Sequence, residues 1–198
     1  MVLADDIKDK NNNINYEKNT EKDFKTEAGE KGEAKVRYAL SWLPQDYKII
    51  QGDNNEKLYL INEDFRDERQ EYDHIVVGPN GLFLIETKNY GGIVRIDSHG
   101  NWTQQKNDEK VKGLKNPRQQ VIQHEKLIKS FIEENIPVHS IICIANEKTL
   151  IEGIENSSVP IVKCDQIQQY IEDFYVEKRL TKKVVNECLK NLKRHIVV

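Results

Sequence analysis

The sequence predicts an α/β fold in which a mixed β-sheet core is flanked by helices. Three observations support this prediction. Residues 71–77 and 82–88 are two apolar segments joined by a turn sequence, residues 138–145 form a continuous apolar run, and amphipathic segments precede and follow them. The resulting order of helix, strands, helix, two strands and helices is typical of a sheet with helices on its faces.

Composition favours one domain in a reducing compartment. The length of 198 residues suits a single domain, which we place at residues 23–198, whereas residues 1–22 are rich in Asn, Lys, Asp and Glu and are expected to form a flexible polar arm. The start of the chain lacks the pattern of a signal peptide, and no run is long enough to span a membrane. The three scattered cysteines contain no CxxC pair, so we expect reduced, buried thiols in a cytoplasmic protein and no structural zinc site.

A helix is expected over residues 26–43, ended by Pro44. Val36 and Leu40 recur at helical spacing and mark its buried face. Counting back three residues from Val36 places Glu33 on the same face. An acidic residue near the start of a helix also interacts favourably with the helix dipole, so this position by itself does not indicate a function.

Strands are expected on both sides of a turn sequence, "GPNG". The expected strands are 46–50, 58–61, 71–77 and 82–88, followed by a hairpin of "GGIVRID" and "WTQQ". If "GPNG" is a four-residue loop, Val77 pairs with Leu82. A bulge at Gly81 would shift the register by one residue, and the sequence leaves both geometries open.

The clearest helix is expected over residues 116–134, because Asn116 can cap it and Pro117 suits its first position. The apolar run 138–145 is expected to be a central strand covered on both faces. The remaining expected elements are a strand at 159–164 and helices at about 165–175 and 181–195.

Two carboxylates and an ammonium interrupt the apolar strand pair. Glu86 and Lys88 point to the same face because strand side chains alternate, and the register of Val77 with Leu82 would place Asp73 opposite Glu86. Facing carboxylates repel, and burying them unpaired costs several kcal/mol. A divalent cation removes both objections, because two carboxylates, a backbone carbonyl at Thr87 and waters suit Mg²⁺.

A simpler interpretation of the same residues needs no metal. Charges at strand ends are often solvated, so Asp73 could cap a turn while Glu86 and Lys88 form a surface pair worth less than about 1 kcal/mol. Spacing alone does not exclude this interpretation.

A longer pattern resembles a known family. The blocks "GEKGEAKVRYAL", "EYDHIVVGPNGLFLIETKNYGGIV", "GNW" and "NPRQQVIQHEKL" occur in order over residues 28–130 and resemble the nuclease-related domain (NERD) family. The resemblance implies a restriction-endonuclease-like fold of the PD-(D/E)xK type. It also implies a set of site residues: Asp73, Glu86 and Lys88 as the catalytic group, a helical glutamate at Glu33 in preference to Glu30, and Asn116 and Gln120 from the last block.

The resemblance implies a metal-dependent nuclease that hydrolyses phosphodiester bonds of DNA, with Mg²⁺ or Mn²⁺ held by Asp73, Glu86 and Thr87. The alternative is a non-catalytic module that keeps the fold and binds nucleic acid or a protein partner, and a weaker third hypothesis is a domain that binds protein alone. A homodimer and a separate DNA-processing partner both remain open. The charged segment "NEDFRDERQE" departs from the family pattern and leaves the entrance to the site undefined.

A local basic segment could contact phosphates although the net charge of −3 gives no general basic field. Its cations are Lys106, Lys110, Lys112, Lys115 and Arg118. A solvated loop explains them equally well. Trp102 and Tyr90 could stack on bases, although packing is the commoner role, and His124 shares a helix face with Gln120 but is expected to hydrogen-bond a neighbouring loop.

Overall fold

The computed structural model describes residues 26–52, 57–61, 69–107 and 109–197. The expected arm at 1–22 lies outside the described residues, as does most of the charged segment "NEDFRDERQE". In the described part of the chain, no helix has the length and apolarity to cross a membrane.

A five-stranded mixed sheet forms the centre of the fold. In spatial order it contains β1 (Lys48–Gln51), β4 (His74–Gly78), β5 (Gly81–Lys88), β9 (Val138–Ile144) and β11 (Ile161–Lys163). β4 runs antiparallel to β1 and β5, whereas β5, β9 and β11 are parallel. The mixed sheet expected from the sequence is therefore confirmed, and the apolar run that forms β9 lies between two neighbouring strands.

Within the described ranges, four α-helices cover this sheet. They are α1 over residues 26–40, α2 (Arg118–Lys129), α3 (Ile167–Glu172) and α4 (Lys182–Lys193). α2 and α4 pack against the face that carries Ile75 and Leu84, and α1 and α3 pack against the face that carries Val76 and Phe83. Alternate strand residues thus enter two apolar layers, as expected for a sheet buried on both sides.

The helices are shorter than the sequence suggested. α1 ends at residue 40 and continues as a turn to residue 43, and α2 covers only the middle of the expected 116–134 segment. Phe131 and Ile132, beyond the end of α2, still pack against the core. Apolar spacing reports which residues are buried, and turns at helix ends can bury residues as well.

Two smaller sheets complete the described fold. One contains β10 (Leu150–Glu152), β6 (Ile93–Ile96), β7 (Trp102–Gln105) and β8 (Lys112–Leu114), and the other contains β12 (Ile196–Val197), β2 (Leu58–Ile61) and β3 (Arg69–Tyr72). The expected β6–β7 hairpin is confirmed. β8, β10 and β12 were not expected, because each has three or fewer residues and so carries little periodic signal.

The β4–β5 hairpin has the register that aligns the charged residues. Val77 pairs with Leu82, so the expected register is confirmed and the shifted register with a bulge is wrong. Gly78 also pairs with Gly81, so the loop has two residues, Pro79 and Asn80, and not the expected four. Gly81 has φ +120°, and a Cβ there would lie 2.7 Å from the Pro137 carbonyl oxygen, so this position requires glycine.

The expected strand 71–77 is wrong in one respect, because the chain forms two strands with a break at Asp73. β3 belongs to the three-stranded sheet and β4 to the central sheet. The break therefore lies where the chain passes from one sheet to the other.

The three cysteines, Cys143, Cys164 and Cys188, are free and buried. This agrees with the expected role as reduced packing residues.

Candidate functional site

Asp73 occupies the break between β3 and β4. Its Oδ2 accepts a hydrogen bond from the backbone N–H of Thr87, 2.6 Å away. Continuing the β4–β5 register beyond the pair of His74 with Ile85 places Asp73 opposite Glu86, which is the alignment that one of the two registers left open by the sequence implied. The Asp73 carboxylate thus provides a hydrogen-bond acceptor for β5 just before the first residue of β4.

Glu86 is a buried acid whose two oxygens have different surroundings. Its side chain is 3% exposed, and Oε1 accepts a hydrogen bond from the Lys88 ammonium. Oε2 is buried without a hydrogen-bond partner among the described residues, and His124 Nδ1 lies 3.8 Å away, beyond hydrogen-bond distance. The interpretation of Glu86 and Lys88 as a solvated surface pair is therefore wrong.

Burial raises the pKa of both carboxylates. Burial raises the pKa of Glu86 to about 7, the Asp73 charge adds to this rise, and Lys88 opposes it. Burial also raises the pKa of Asp73, against the lowering effects of the Thr87 N–H and of Lys88. The pKa of Lys88 is raised: burial, the largest single effect, acts to lower it, but the charge and hydrogen bond of Glu86 together with the charges of Asp73 and Tyr90 outweigh burial. The two acids are therefore costly to ionise together unless a cation joins them.

The oxygen atoms around these acids fit a hard divalent cation. Glu86 presents Oε2, which has no hydrogen-bond partner in the described part of the chain, and Asp73 lies opposite. The N–H and C=O of one strand residue point to the same side. The Thr87 N–H is directed to Asp73, so its carbonyl points toward the same edge, whereas the Lys88 carbonyl accepts from Ala145 N–H at 3.0 Å on the β9 side.

This donor set is incomplete by itself. The described residues hold no cluster of three or more His, Cys, Asp or Glu side chains that could bind a metal. A carbonyl and waters would have to complete the coordination shell, which Mg²⁺ accepts more readily than Zn²⁺.

Glu33 approaches the site from the opposite face of the sheet. Its pKa is raised by burial and next by the charge of Asp73, so the two carboxylates are electrostatic neighbours. Gly32 brings α1 close to the end of β5, because a Cβ at residue 32 would lie 2.8 Å from the Asn89 Cβ. The Asn89 side chain donates to the Ala28 carbonyl at 2.6 Å and fixes this approach. Close helix packing therefore positions Glu33.

α2 contributes His124 to the surroundings of Glu86. Burial and the Lys88 charge hold the pKa of His124 at about 4, so its imidazole is neutral near pH 7. The His124 ring lies 4.3 Å from the ring of Tyr72, whose hydroxyl donates to the His124 carbonyl at 3.0 Å. Gln120, one turn earlier on this stripe of α2, is part-buried. Its role stays a prediction.

Asn116 stabilises the start of α2. Its amide donates to the Gly100 carbonyl at 2.7 Å, and its Oδ1 accepts from the Arg118 N–H at 2.9 Å. These contacts give Asn116 a structural role, because they join the start of α2 to the β6–β7 turn.

The basic segment lies on and around β8. Its five expected phosphate-contacting cations are all exposed: Lys106, Lys110, Lys112, Lys115 and Arg118. Arg118 Nε also donates to Ser158 Oγ at 2.8 Å. Trp102 is 2% exposed and packs near Tyr90, so Trp102 is a core residue and is not available to stack on bases.

Sequence reasoning missed two charged residues beside the acids. The Lys57 ammonium contacts the Glu71 carboxylate, and both charges act on Asp73 and on Glu33. Its sequence position could have indicated Glu71, because it lies only two residues before Asp73. Lys57 could not be found in this way, because its partner is fourteen residues away in sequence.

Comparison with known proteins defines the class to which this fold and site belong. The model of the nuclease-related domain matches residues 28–145, so the chain belongs to the nuclease-related domain (NERD) family. The mixed sheet with helices on both faces is consistent with a restriction-endonuclease-like core. An uncharacterized protein of Bacillus anthracis is 30% identical over 156 residues, which cover 77% of this chain and 69% of that protein. No solved structure matches the chain significantly.

Proposed function

We propose that the protein is a metal-dependent nuclease that hydrolyses phosphodiester bonds of DNA. The observation that carries the proposal is the buried Glu86 carboxylate, which contacts Lys88, lies opposite Asp73 and keeps one oxygen without a partner among the described residues. Such an arrangement is costly for a structural role and useful for holding a cation. Membership of the nuclease-related domain family supports the same conclusion.

Each residue has a distinct part in this reaction. Asp73, Glu86 and the Thr87 carbonyl would hold Mg²⁺ or Mn²⁺, which supplies Lewis acidity and activates the attacking water. Glu86 directs the Lys88 ammonium into the site, where it orients the water and stabilises negative charge on the phosphate. Glu33, with its raised pKa, tunes the site through a water, and Gln120 contacts the substrate.

The exposed cations around β8 would follow the DNA backbone outside the reacting centre. The basic segment extends from Lys106, which lies close to Gly91, three residues after Lys88. The DNA backbone that extends from the site in this direction would therefore contact positively charged side chains. The buried free thiols fit a reducing cytoplasmic environment.

A non-catalytic module that binds nucleic acid or a protein partner is the second candidate. The net charge of −3 favours it. So does the absence, within the described ranges, of a preassembled cluster of three metal-binding side chains. This candidate predicts that DNA is bound without being cut.

The test is incubation of the purified chain with plasmid and linear DNA in Mg²⁺, in Mn²⁺ or in chelator. We expect metal-dependent cleavage that Glu86→Ala and Lys88→Ala abolish. Lys183→Ala is the control, because Lys183 on α4 is 85% exposed. Cleavage that persists in both site variants would refute the site, and DNA that is shifted on a gel but never cut would favour the binding module.

A further inference from the structure

The hairpin of β2 and β3 has two different faces. Leu58 pairs with Tyr72 and Tyr59 with Glu71, so alternate residues point to opposite sides. One side is buried in the core through Leu58, Leu60 and Tyr72. The other side is at least part-exposed, and it carries the residues that we call the outer row: Lys57, Tyr59, Arg69 and Glu71.

The side chains of the outer row touch one another. The Lys57 ammonium contacts the Glu71 carboxylate, and the Tyr59 hydroxyl lies 3.4 Å from Glu71 Oε2. The Arg69 guanidinium lies 3.7 Å from the centroid of the Tyr59 ring. Two cations and an aromatic ring are thus held together on one exposed surface.

The outer row leads directly to the candidate catalytic acids. Glu71 is followed by buried Tyr72, the last residue of β3, and then by Asp73, so one residue separates the outer row from the first candidate catalytic acid. The Lys57 ammonium contacts the carboxylate of Glu71, two residues before Asp73, so its positive charge lies at the end of the strand that leads to the acids. A polyanion whose reacting phosphate lies at Asp73 would therefore extend onto this surface.

We propose that the outer row binds the nucleic-acid backbone next to the reacting phosphate, with Lys57 and Arg69 contacting phosphates and Tyr59 contacting a sugar or base. The inference rests on the proposed nuclease function and adds a substrate contact to it. Continuity with the acids and the charge of the two cations favour a polyanion over an apolar partner. Glu71 forms an ion pair with Lys57 when no phosphate is present, and a bound phosphate replaces Glu71 in this pair.

The position of Glu71 makes the proposal distinguishable from a structural role. Loss of Lys57 or Arg69 removes a phosphate contact. Glu71→Gln removes a negative charge from the phosphate path and releases Lys57, so it should strengthen binding. A purely structural Lys57–Glu71 pair would give no gain in affinity for this variant.

The experiment is fluorescence anisotropy of a labelled DNA duplex in chelator, titrated at several salt concentrations. The proteins are the wild type, Lys57→Ala, Arg69→Ala, Glu71→Gln and the exposed control Lys183→Ala. Each alanine variant of the outer row should bind about three- to tenfold more weakly. Each should also reduce the slope of log affinity against log salt by about 0.9, the value for one phosphate contact. Glu71→Gln should bind more tightly, and the control should match the wild type.

Cleavage kinetics in Mg²⁺ separate the two proposals. We expect Lys57→Ala and Arg69→Ala to raise KM with little change in kcat. The wild type could cleave DNA while both variants keep unchanged binding, salt slope and KM. This result would refute the proposed role of the outer row and would leave the proposed nuclease function standing. Wild-type protein that neither binds nor cleaves DNA would overturn both. Thermal unfolding of each variant checks that a loss of binding is not a loss of folding.

Discussion

The Asp73 carboxylate accepts a hydrogen bond from the backbone N–H of Thr87, the residue between Glu86 and Lys88. This one contact fixes the acid of one strand end against the acid and the ammonium of its neighbour. It also places the Thr87 carbonyl toward the same edge. The structural and the proposed catalytic roles of Asp73 can therefore be separated by substitution.

Asp73→Asn should abolish cleavage and leave the fold largely intact, because an amide oxygen can still accept from the Thr87 N–H but binds a divalent cation poorly. Asp73→Ala should abolish cleavage and also lower the free energy of unfolding by about 1–3 kcal/mol, since it leaves that N–H without its acceptor. Urea unfolding and a plasmid assay measure the two effects. Equal stability of the two variants would contradict the structural role.

Glu86→Gln should stabilise the metal-free protein. The wild-type carboxylate is buried beside Asp73 with its pKa raised to about 7, so at pH 8 it is mostly ionised and its buried charge lowers the stability of the folded state. The neutral amide removes this penalty, while the loss of the Lys88 contact reduces the gain. We expect a net gain of about 1–3 kcal/mol in urea unfolding with chelator present. Glu187→Gln on α4, where the acid is largely exposed, is the matched control and should change little.

Addition of Mg²⁺ or Mn²⁺ should reverse this order of stability. Saturating metal should raise the Tm of the wild type, corresponding to about 1–3 kcal/mol, because the ion binds the folded state alone. Chelator should remove the effect. Glu86→Gln and Asp73→Asn should show no metal-dependent rise, whereas Glu187→Gln should behave as the wild type does. An identical metal-dependent rise in Tm in all four proteins would show that the ion does not bind at Asp73 and Glu86.

Gly32→Ala should reduce cleavage by moving Glu33. The added Cβ would lie 2.8 Å from Asn89 Cβ and 3.3 Å from Ala145 Cβ, so α1 must shift away from the end of β5. Gly29→Ala is the control, because nothing lies within 4 Å of a Cβ there. That variant should keep full activity and gain about 0.5–1 kcal/mol from helix propensity. Comparable cleavage by both variants would argue against a role for the close packing at Gly32.

His139 should contribute to a loss of stability at acidic pH. Its ring packs against Phe83 and Phe174, and its Nε2 lies 3.3 Å from the Asn80 carbonyl oxygen. Burial lowers its pKa, against smaller raising effects of the Asn80 carbonyl and of Glu125. The unfolded chain therefore binds the proton more tightly. Stability from this group is complete above about pH 6.5 and is lost as the pH falls below that value.

His139→Gln should accordingly flatten the dependence of unfolding free energy on pH between 7 and 5. It should not abolish that dependence, because burial also lowers the pKa of His74 to about 3 and of His124 to about 4. Chemical denaturation at several pH values measures the slopes. Equal slopes in the variant and the wild type would show that His139 is not responsible.

Local chemistry allowed the central hairpin and its charged face to be predicted. Turn residues in "GPNG" and strand alternation act over a few neighbouring positions, so they locate the hairpin and place Glu86 and Lys88 on one face. They leave two registers open, and the folded chain adopts the one that pairs Val77 with Leu82 and aligns Asp73 with Glu86. The same local signals did not predict the break at Asp73, because the two strands that meet there belong to different sheets.

The sequence by itself determined the α/β class, the long strands and helices, and the shared face of Glu86 and Lys88, because periodicity and turn chemistry are local properties of the chain. Only the tertiary structure decided that Asp73 lies opposite Glu86, that Glu86 is buried, and that the charges of Asp73, Lys57 and Glu71 act on Glu33, which lies on a helix of the other face. Burial and the charge around a carboxylate depend on segments distant in sequence, which only the folded chain brings together.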